Sequence, residues 1–468
     1  MVELPSKLPE IVPTSEAPFA EDKLNRSKFA GTLRSIVDTY ATDSCVLSIN
    51  GEWGTGKTTF VKMWQKYMER LGYRTIYFNA WETDYISDPL IALLGELQDI
   101  IPTDDNFDKV YNALSRIALN AGSAVISALL KKVTGISGEA IQGLVVETKD
   151  ILKESIKEYA TQKSSLSDFK KVLCEYVANV SESQKATVIF IVDELDRCNP
   201  HYAVKLLERI KHLFDIPNIF FVLPICKSQL ECSIQGFYGS DRIDAKNYLR
   251  RFITLEFELP KPDNEDFYNY LFDYYKFYEF FDGSISNKRS DNIEIFISSV
   301  RRIFHRTNID LRTMDKLFVH CRLVAQEIRG NLVNEMDVIF LLCYLKQLHF
   351  EVYDKIRRHT YTLQELINTI ENLFPNTLLD SKLCDNMDFH GFTYTIAGLL
   401  IIYNQKNVML YEEGVLPQTT DSKMTLTCKV LDKEKLKEAL INSRLGHPMG
   451  YSTIKDLTEK IDLLQQLK

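Results

Sequence analysis

Eight residues, Gly51-Glu52-Trp53-Gly54-Thr55-Gly56-Lys57-Thr58, constrain this chain more than any others because of what flanks them. Before them Cys45 to Ile49 is an apolar run of strand length. After them Phe60, Val61, Trp64, Met68 and Leu71 recur at helical spacing. The spacing predicts a strand, a tight glycine loop and a helix in succession. Glycines let the backbone wrap with its amide hydrogens turned inward, and the helix start adds partial positive charge, so anionic oxygens are held by fixed dipoles. In this context the eight residues fit the G-x-x-x-x-G-K-[ST] phosphate loop. A turn that only joined strand to helix would not need Lys57 and Thr58 at those two places. The eight residues and Thr59 are therefore the candidate nucleotide-binding set. Lys57 is expected to reach the β and γ phosphates, and Thr58 to offer its hydroxyl to Mg²⁺.

A phosphate loop needs an acid at the end of a neighbouring buried strand to hold the magnesium through its waters. Val188-Ile189-Phe190-Ile191-Val192-Asp193 supplies one. A carboxylate ending so apolar a run is costly unless it meets a cation, so Asp193 is the candidate metal-organising acid beside Thr58. Glu194 follows directly, where it would orient and polarise an attacking water. Asp196 and Arg197 either extend this cluster or form a local ion pair or a cap for the next helix.

Between these motifs the chain reads as an α/β protein. Helix is predicted from Lys28 to Tyr40 and from Thr58 to Leu71, with a strand from Tyr73 to Phe78. From Pro89 to Lys185 the patterns are helical and no strand is convincing, which reads as an insertion. Its most apolar part, Ile117 to Leu130, stops at Lys131-Lys132, short of the roughly 20 residues of a membrane span. The sheet resumes with Ala186 to Val192, the helix Tyr202 to Phe214, and the strands Ile219 to Ile225 and Phe252 to Leu259. After Pro260 and Pro262 the pattern is almost entirely helical, and from Asp380 onward no chemistry is assigned. The expected organisation is an extended arm over 1–20, a core over 21–262 with the insertion at 89–185, a helical lid over 263–379 and a carboxy-terminal region over 380–468.

Gly51 to Thr58, Phe78-Asn79-Ala80-Trp81, Asp193-Glu194-Leu195-Asp196-Arg197-Cys198, and Tyr248-Leu249-Arg250-Arg251-Phe252-Ile253 ahead of Leu259-Pro260 together resemble the KAP family of P-loop NTPases. The match runs from about Phe19 to Pro262 and more loosely to Gln347. The resemblance implies an additional-strand (ASCE-type) parallel sheet sandwiched by helices, a helical insertion before the magnesium acid and a helical lid after the core. In many members the insertion holds transmembrane helices. The lack of full-length spans here points toward the soluble members and a cytoplasmic location, with peripheral membrane association left open. One departure is Cys226, which stands where relatives usually carry an aspartate near the γ-phosphate. It is either a change that slows hydrolysis, with Ser228 as substitute, or a small buried filler. Arg312 resembles a lid arginine that contacts the γ-phosphate, with a structural salt bridge as the alternative. Arg250 and Arg251 are candidates for a finger acting across a subunit interface, or else surface charges.

The functions that follow are ATP (or GTP) and Mg²⁺ binding with hydrolysis, ATP being favoured. The chain would act as a conformational switch in antiphage defence or signalling, with a homo-oligomer or a partner protein as its context. The alternatives are a nucleotide-stabilised scaffold with little hydrolysis and a nucleic-acid-linked ATPase. The formal charge of −8 argues against the last, since nucleic-acid binders show a basic face. Basic pairs at Arg250-Arg251, Arg301-Arg302 and Arg357-Arg358 lie among acidic residues and read as solvated helix faces. The nine cysteines contain no Cys-x-x-Cys pair, so neither a zinc site nor a disulfide framework is indicated.

Overall fold

Val188–Asp193 is buried at every position, and so is Ile219–Ile225, which sets where both strands must lie. A strand apolar on both faces is stable only inside a sheet covered on both sides by helices. The computed structural model shows this arrangement. It describes residues 5, 8–40, 43–86, 89, 92–93, 167–171, 173–175, 185, 187–213, 216–262, 264–282, 289–304, 309–327, 335–374, 388–404, 415–419, 422–425, 427–429, 431, 433–445 and 452–466. The predicted insertion at 89–185, including Ile117 to Leu130, lies almost wholly outside the described residues. The chain divides into two compact units, 11–261 and 1–10 with 262–468.

In the first unit, α1 (Ser27–Thr39), β1 (Cys45–Asn50), α2 (Lys57–Arg70) and β2 (Arg74–Asn79) are followed by β3 (Val188–Asp193) and α3 (Pro200–Leu213). Then come β4 (Ile219–Ile225), α4 (Lys227–Tyr238), the short α5 (Ala245–Leu249) and β5 (Leu255–Glu258). The five strands are ordered β2-β3-β4-β1-β5 and every pair is parallel. Strand β4 thus lies between the strand before the glycine loop and the strand ending in Asp193, which is the additional-strand arrangement. Alternation divides the sheet between two cores. Phe78, Phe190, Val192 and Phe221 pack with α3 and α4, while Leu47, Ile49, Ile189, Ile191 and Val222 pack with α1 and α2. Phe190 and Phe221 are register partners, and their rings stack at 4.9 Å. Of the described residues of the predicted insertion, Ala92, Leu93, Phe169 and Leu173 are buried in the first of these cores.

Among the boundaries that differ from expectation, two have a clear local cause. The strand predicted from Phe252 begins only at Leu255, because the amides of Phe252 and Ile253 close a turn onto the Leu249 carbonyl at the end of α5. Helix α3 starts at Pro200, with the Asn199 side chain accepting from His201 N at 3.0 Å. That capping asparagine followed by proline is a helix-start signal.

The second unit is helical: α6 (Asn264–Tyr274), α7 (Phe277–Asp282), α8 (Arg289–Phe304), α9 (Leu311–Glu327), α10 (Met336–Leu348), α11 (Phe350–Arg357), α12 (Leu363–Leu373), α13 (Asp388–Tyr403), α14 (Lys433–Leu445) and α15 (Ile454–Gln466), with a small hairpin of β6 (Val415–Thr419) and β7 (Ser422–Thr425). Its core is aromatic: Phe272, Phe277, Phe296, Phe318 and Phe340 meet in edge-on and stacked pairs. Helices α8 and α13 approach so closely that a Cβ on Gly391 would lie 2.4 Å from Ser298 Cβ. The same helices bring Ser299 and Thr395 hydroxyls to 2.5 Å, and Thr395 donates to the buried Asp337 carboxylate at 2.8 Å. The last helix is tied in by Asp462, which pairs with Lys346 at 2.7 Å and accepts from Tyr353 at 2.9 Å.

Candidate functional site

All five strands run in one direction, so the residues that end β1, β2, β3 and β4 share one edge of the sheet. Register places Asn79 beside Asp193 and Asn50 beside Ile225. The glycine loop leaves this edge from Asn50, its first amide (Gly51 N) bonded to the Ile225 carbonyl at 3.0 Å. Gly54 and Gly56 adopt φ of 79° and 80°, where side-chain-bearing residues are strained. Helix α2 then starts at Lys57 with no side chain capping it and no acid in its first turn. The amides of a first helical turn have no partner within the helix, so this end is open to an anion.

Side chains complete the loop. Lys57 Nζ donates to the carbonyls of Gly51 (2.6 Å) and Glu52 (3.1 Å), and the Thr55 hydroxyl donates to the Glu52 carbonyl at 2.7 Å. Burial lowers the Lys57 pKa, opposed by the negative charges of Asp196 and Asp193. Arg26, at the entrance to α1, is 3% exposed and supports the loop from beneath. Its guanidinium donates to the Thr55 carbonyl at 2.8 Å and the Pro260 carbonyl at 3.0 Å. Desolvation takes this guanidinium down to about 10, with Asp22 opposing.

Asp193 is 1% exposed, which pushes its pKa up. Three donors oppose that shift: the Tyr77 hydroxyl at 2.8 Å, the Thr58 hydroxyl and the Glu194 amide at 2.9 Å. The expected pair of Thr58 and Asp193 is therefore in direct contact. Glu194 has φ 58°, a left-handed conformation unusual for a non-glycine residue and of the kind that collects at functional sites. Its carboxylate forms an ion pair with Arg197 Nη1 at 2.7 Å and is also bonded by the Asn79 side chain. Burial raises the Glu194 pKa, Arg197 lowers it and Asp193 raises it. The Arg197 guanidinium in turn lies 5.6 Å from the centroid of the half-exposed Trp81 ring.

Asp196 and Arg197 neither pair with each other nor cap α3, and Asn199 serves as the cap. Asp196 instead accepts from the Trp53 indole N–H at 2.7 Å and the Cys226 amide at 3.0 Å. Cys226 is 1% exposed, and its Sγ lies 3.5 Å from Glu52 Oε2 and 3.3 Å from Ser228 Oγ. Arg250 and Arg251 are not at this edge. They precede β5, next to Thr254, whose amide bonds the Val46 carbonyl near the start of β1, so they lie at the opposite edge of the sheet. Arg312 is exposed in the first turn of α9 in the helical unit. Arg26, Tyr77 and Asn79 were not singled out in the sequence as site residues, whereas Trp53 and Cys226, the partners of Asp196, were.

A glycine loop between β1 and α2, a buried acid two strands away and β4 between them define an additional-strand P-loop fold. The KAP family P-loop domain matches residues 26–328, well over half of the 468 residues, and the chain belongs to this family. Membership supports nucleotide binding by this chain. No curated protein matches the chain. Among solved structures it is similar to a Cdc6p from Pyrobaculum aerophilum, with 12% identity over 100% of this chain and 99% of that one and a TM-score of 0.36. It is also similar to an Aeropyrum pernix ORC2 protein in ADPNP-ADP complexes, with 13% identity over 90% and 93% and a TM-score of 0.33. These likenesses are too distant to carry a functional argument. Among the described residues no helix is long and apolar enough to cross a membrane.

Proposed function

We propose that this chain is a Mg²⁺-dependent nucleoside triphosphatase, with ATP favoured over GTP, whose nucleotide state drives a conformational switch. The observation that carries the reading is the contact of the Thr58 hydroxyl with the buried Asp193 carboxylate beside an uncapped helix start and Lys57. In this reading the loop amides and Lys57 bind the β and γ phosphates, and Thr58 and Asp193 hold the metal site. Glu194 orients the attacking water and takes its proton. Bound Mg²⁺ would neutralise charge developing on the phosphate oxygens. The residues fit such an ion: Asp193 is a buried acid already supported by three donors, suited to ordering metal-bound water. Among the described residues no group of three His, Cys, Asp or Glu is placed to hold a metal, which suits an ion carried largely by phosphates and water. The helical unit, with Arg312, is the element proposed to report the nucleotide state. Cytoplasmic antiphage defence or signalling with an oligomeric or protein partner is the biological setting that the family resemblance supports.

A second reading is favoured by one observation. Glu194 is held by Arg197 and Asn79, so a slow hydrolase that works as a nucleotide-stabilised scaffold has a structural motive. Phosphate release from ATP and GTP, with nucleotide binding measured in parallel on wild type, Lys57→Ala and Glu194→Gln, tests both. Turnover by wild type alone, with binding kept by Glu194→Gln, supports the hydrolase. Binding without turnover in wild type supports the scaffold. Absence of nucleotide binding by wild type refutes both. Limited proteolysis with and without MgATP tests the switch, which fails if the helical unit is cut identically in the two states.

A further inference from the structure

Asp196 has no part in the roles above, yet it is a buried carboxylate, 5% exposed, standing among the elements that shape the phosphate site. One of its oxygens, Oδ2, accepts two hydrogen bonds: the Trp53 indole N–H at 2.7 Å and the Cys226 backbone N–H at 3.0 Å. Trp53 is the third residue of the phosphate loop, and Cys226 is the first residue after β4. Asp196 itself lies in the turn after β3, three residues past Asp193. A single carboxylate oxygen therefore joins the first half of the loop to the ends of two strands.

The loop needs such an anchor. Next to Trp53 the backbone turns through Gly54 at φ 79°, a residue that contributes no stiffness of its own. The rest of the loop is fixed separately: Gly51 and Glu52 through the Ile225 carbonyl, Lys57 and Thr55, and the second half through Arg26 on the Thr55 carbonyl and Thr58 on Asp193. Trp53 is 45% exposed, and its indole N–H is held by the charge-assisted bond to Asp196.

We infer that Asp196 is a positioning residue for the nucleotide phosphates: by holding the Trp53 indole and the Cys226 amide on one oxygen, it sets the Trp53 segment of the loop before nucleotide arrives. A preset loop avoids the ordering cost that a free glycine segment would otherwise subtract from affinity. The inference rests on the nucleotide-binding reading and adds to it a residue outside the loop that governs phosphate affinity.

The chain itself supplies the probe. Of its three tryptophans, Trp64 is fully buried, and in a Trp81→Phe background Trp53 is the exposed reporter. In that background, Asp196→Ala and Asp196→Asn are read by Trp53 emission and by titration with MgADP. Binding is also measured for Trp53→Phe, which removes the N–H donor while keeping an aromatic ring, and for the Trp53→Phe/Asp196→Ala double variant. The expected loss in MgADP affinity is about tenfold or more for Asp196→Ala and smaller for Trp53→Phe, with the double variant no weaker than Asp196→Ala alone. Asp196→Asn keeps an acceptor oxygen and is expected to restore affinity to within about threefold of wild type. At saturating MgATP, kcat should change less than KM. Additive losses in the double variant, or wild-type affinity in Trp53→Phe and Asp196→Ala, would overturn the assignment. If Asp196→Ala does not fold, Trp53→Phe and Asp196→Asn still decide it, since wild-type affinity in the first or a full loss in the second is incompatible with it. A wild type that binds nucleotide while these variants bind equally well refutes this inference alone, whereas a wild type that binds none removes the reading beneath it too.

Discussion

Replacing Asp337 by Asn should make the protein more stable above neutral pH and leave it no more stable in acid. Asp337 sits in the first turn of α10, 8% exposed, with Thr395 as its side-chain donor. Burial lifts its pKa from 3.8 to about 6, against the opposing bonds from Thr395 and from backbone amides. The folded state therefore binds this proton more tightly than the unfolded chain does. The stability it contributes is fully present below about pH 3.8 and is lost as pH rises through about 6. A displacement of that size corresponds to about 3 kcal/mol at ~1.36 kcal/mol per pH unit. Asn has no charge to bury and keeps an oxygen for Thr395, but it gives up an acceptor for the backbone amides, at a cost of about 1 kcal/mol. The net expectation at pH 8 is a gain of about 2 kcal/mol for Asp337→Asn, shrinking through the window and reversing below about pH 4. Urea denaturation of both proteins from pH 4 to 8 gives the difference directly, because the titrations of all other groups cancel in it. A stability difference that does not change across this range would refute the reasoning.

Three further outcomes follow from the geometry. Arg197→Ala removes the largest of the influences that lower the Glu194 pKa, so the acid limb of the kcat profile should move to higher pH, as a pH-rate series would show. Gly391→Ala forces a Cβ against Ser298 where α8 and α13 meet, and thermal unfolding should register a loss of about 1–3 kcal/mol. Phe190→Ala empties a fully enclosed position under the stacked Phe221 ring and should cost about 3–5 kcal/mol by urea denaturation.

What could be read from the sequence was whatever repeats locally or follows a fixed spacing. Ile219 to Ile225 was legible to the residue because a continuous apolar run bounded by polar residues has one stable use, a central strand. Lys57, Thr58 and Asp193 were legible as candidates because their residue types make sense only beside a phosphate and its metal. The strand order was not written in any periodicity and came only with the family resemblance, since β1 pairs with strands that follow it by well over a hundred residues. The same holds for the hydrogen bonds that complete the site. Trp53 and Asp196 are 143 residues apart, and Tyr77 and Asp193 are 116 apart, so neither pair leaves a trace in local pattern. Asp196 and Arg197 were left between two readings for a related reason: adjacent charges do not reveal their partners, and the turn after β3 sends them to Trp53 and Glu194. The cap of α3 was legible in Asn199-Pro200 and was missed only because the acids nearby offered a competing choice.

Arg26 shows what an engineer trimming this protein would have to respect. Its guanidinium bonds a carbonyl of the phosphate loop and another 234 residues further along, where the sheet has ended and the chain is about to leave the first unit. Asp22 fixes the approach by accepting from the Leu24 and Arg26 amides at 3.1 and 2.7 Å. A fragment cut to begin at the first helix would keep the whole glycine loop and all five strands, yet it would lack the brace beneath Thr55. A fragment meant to keep this brace and its approach therefore begins at or before Asp22.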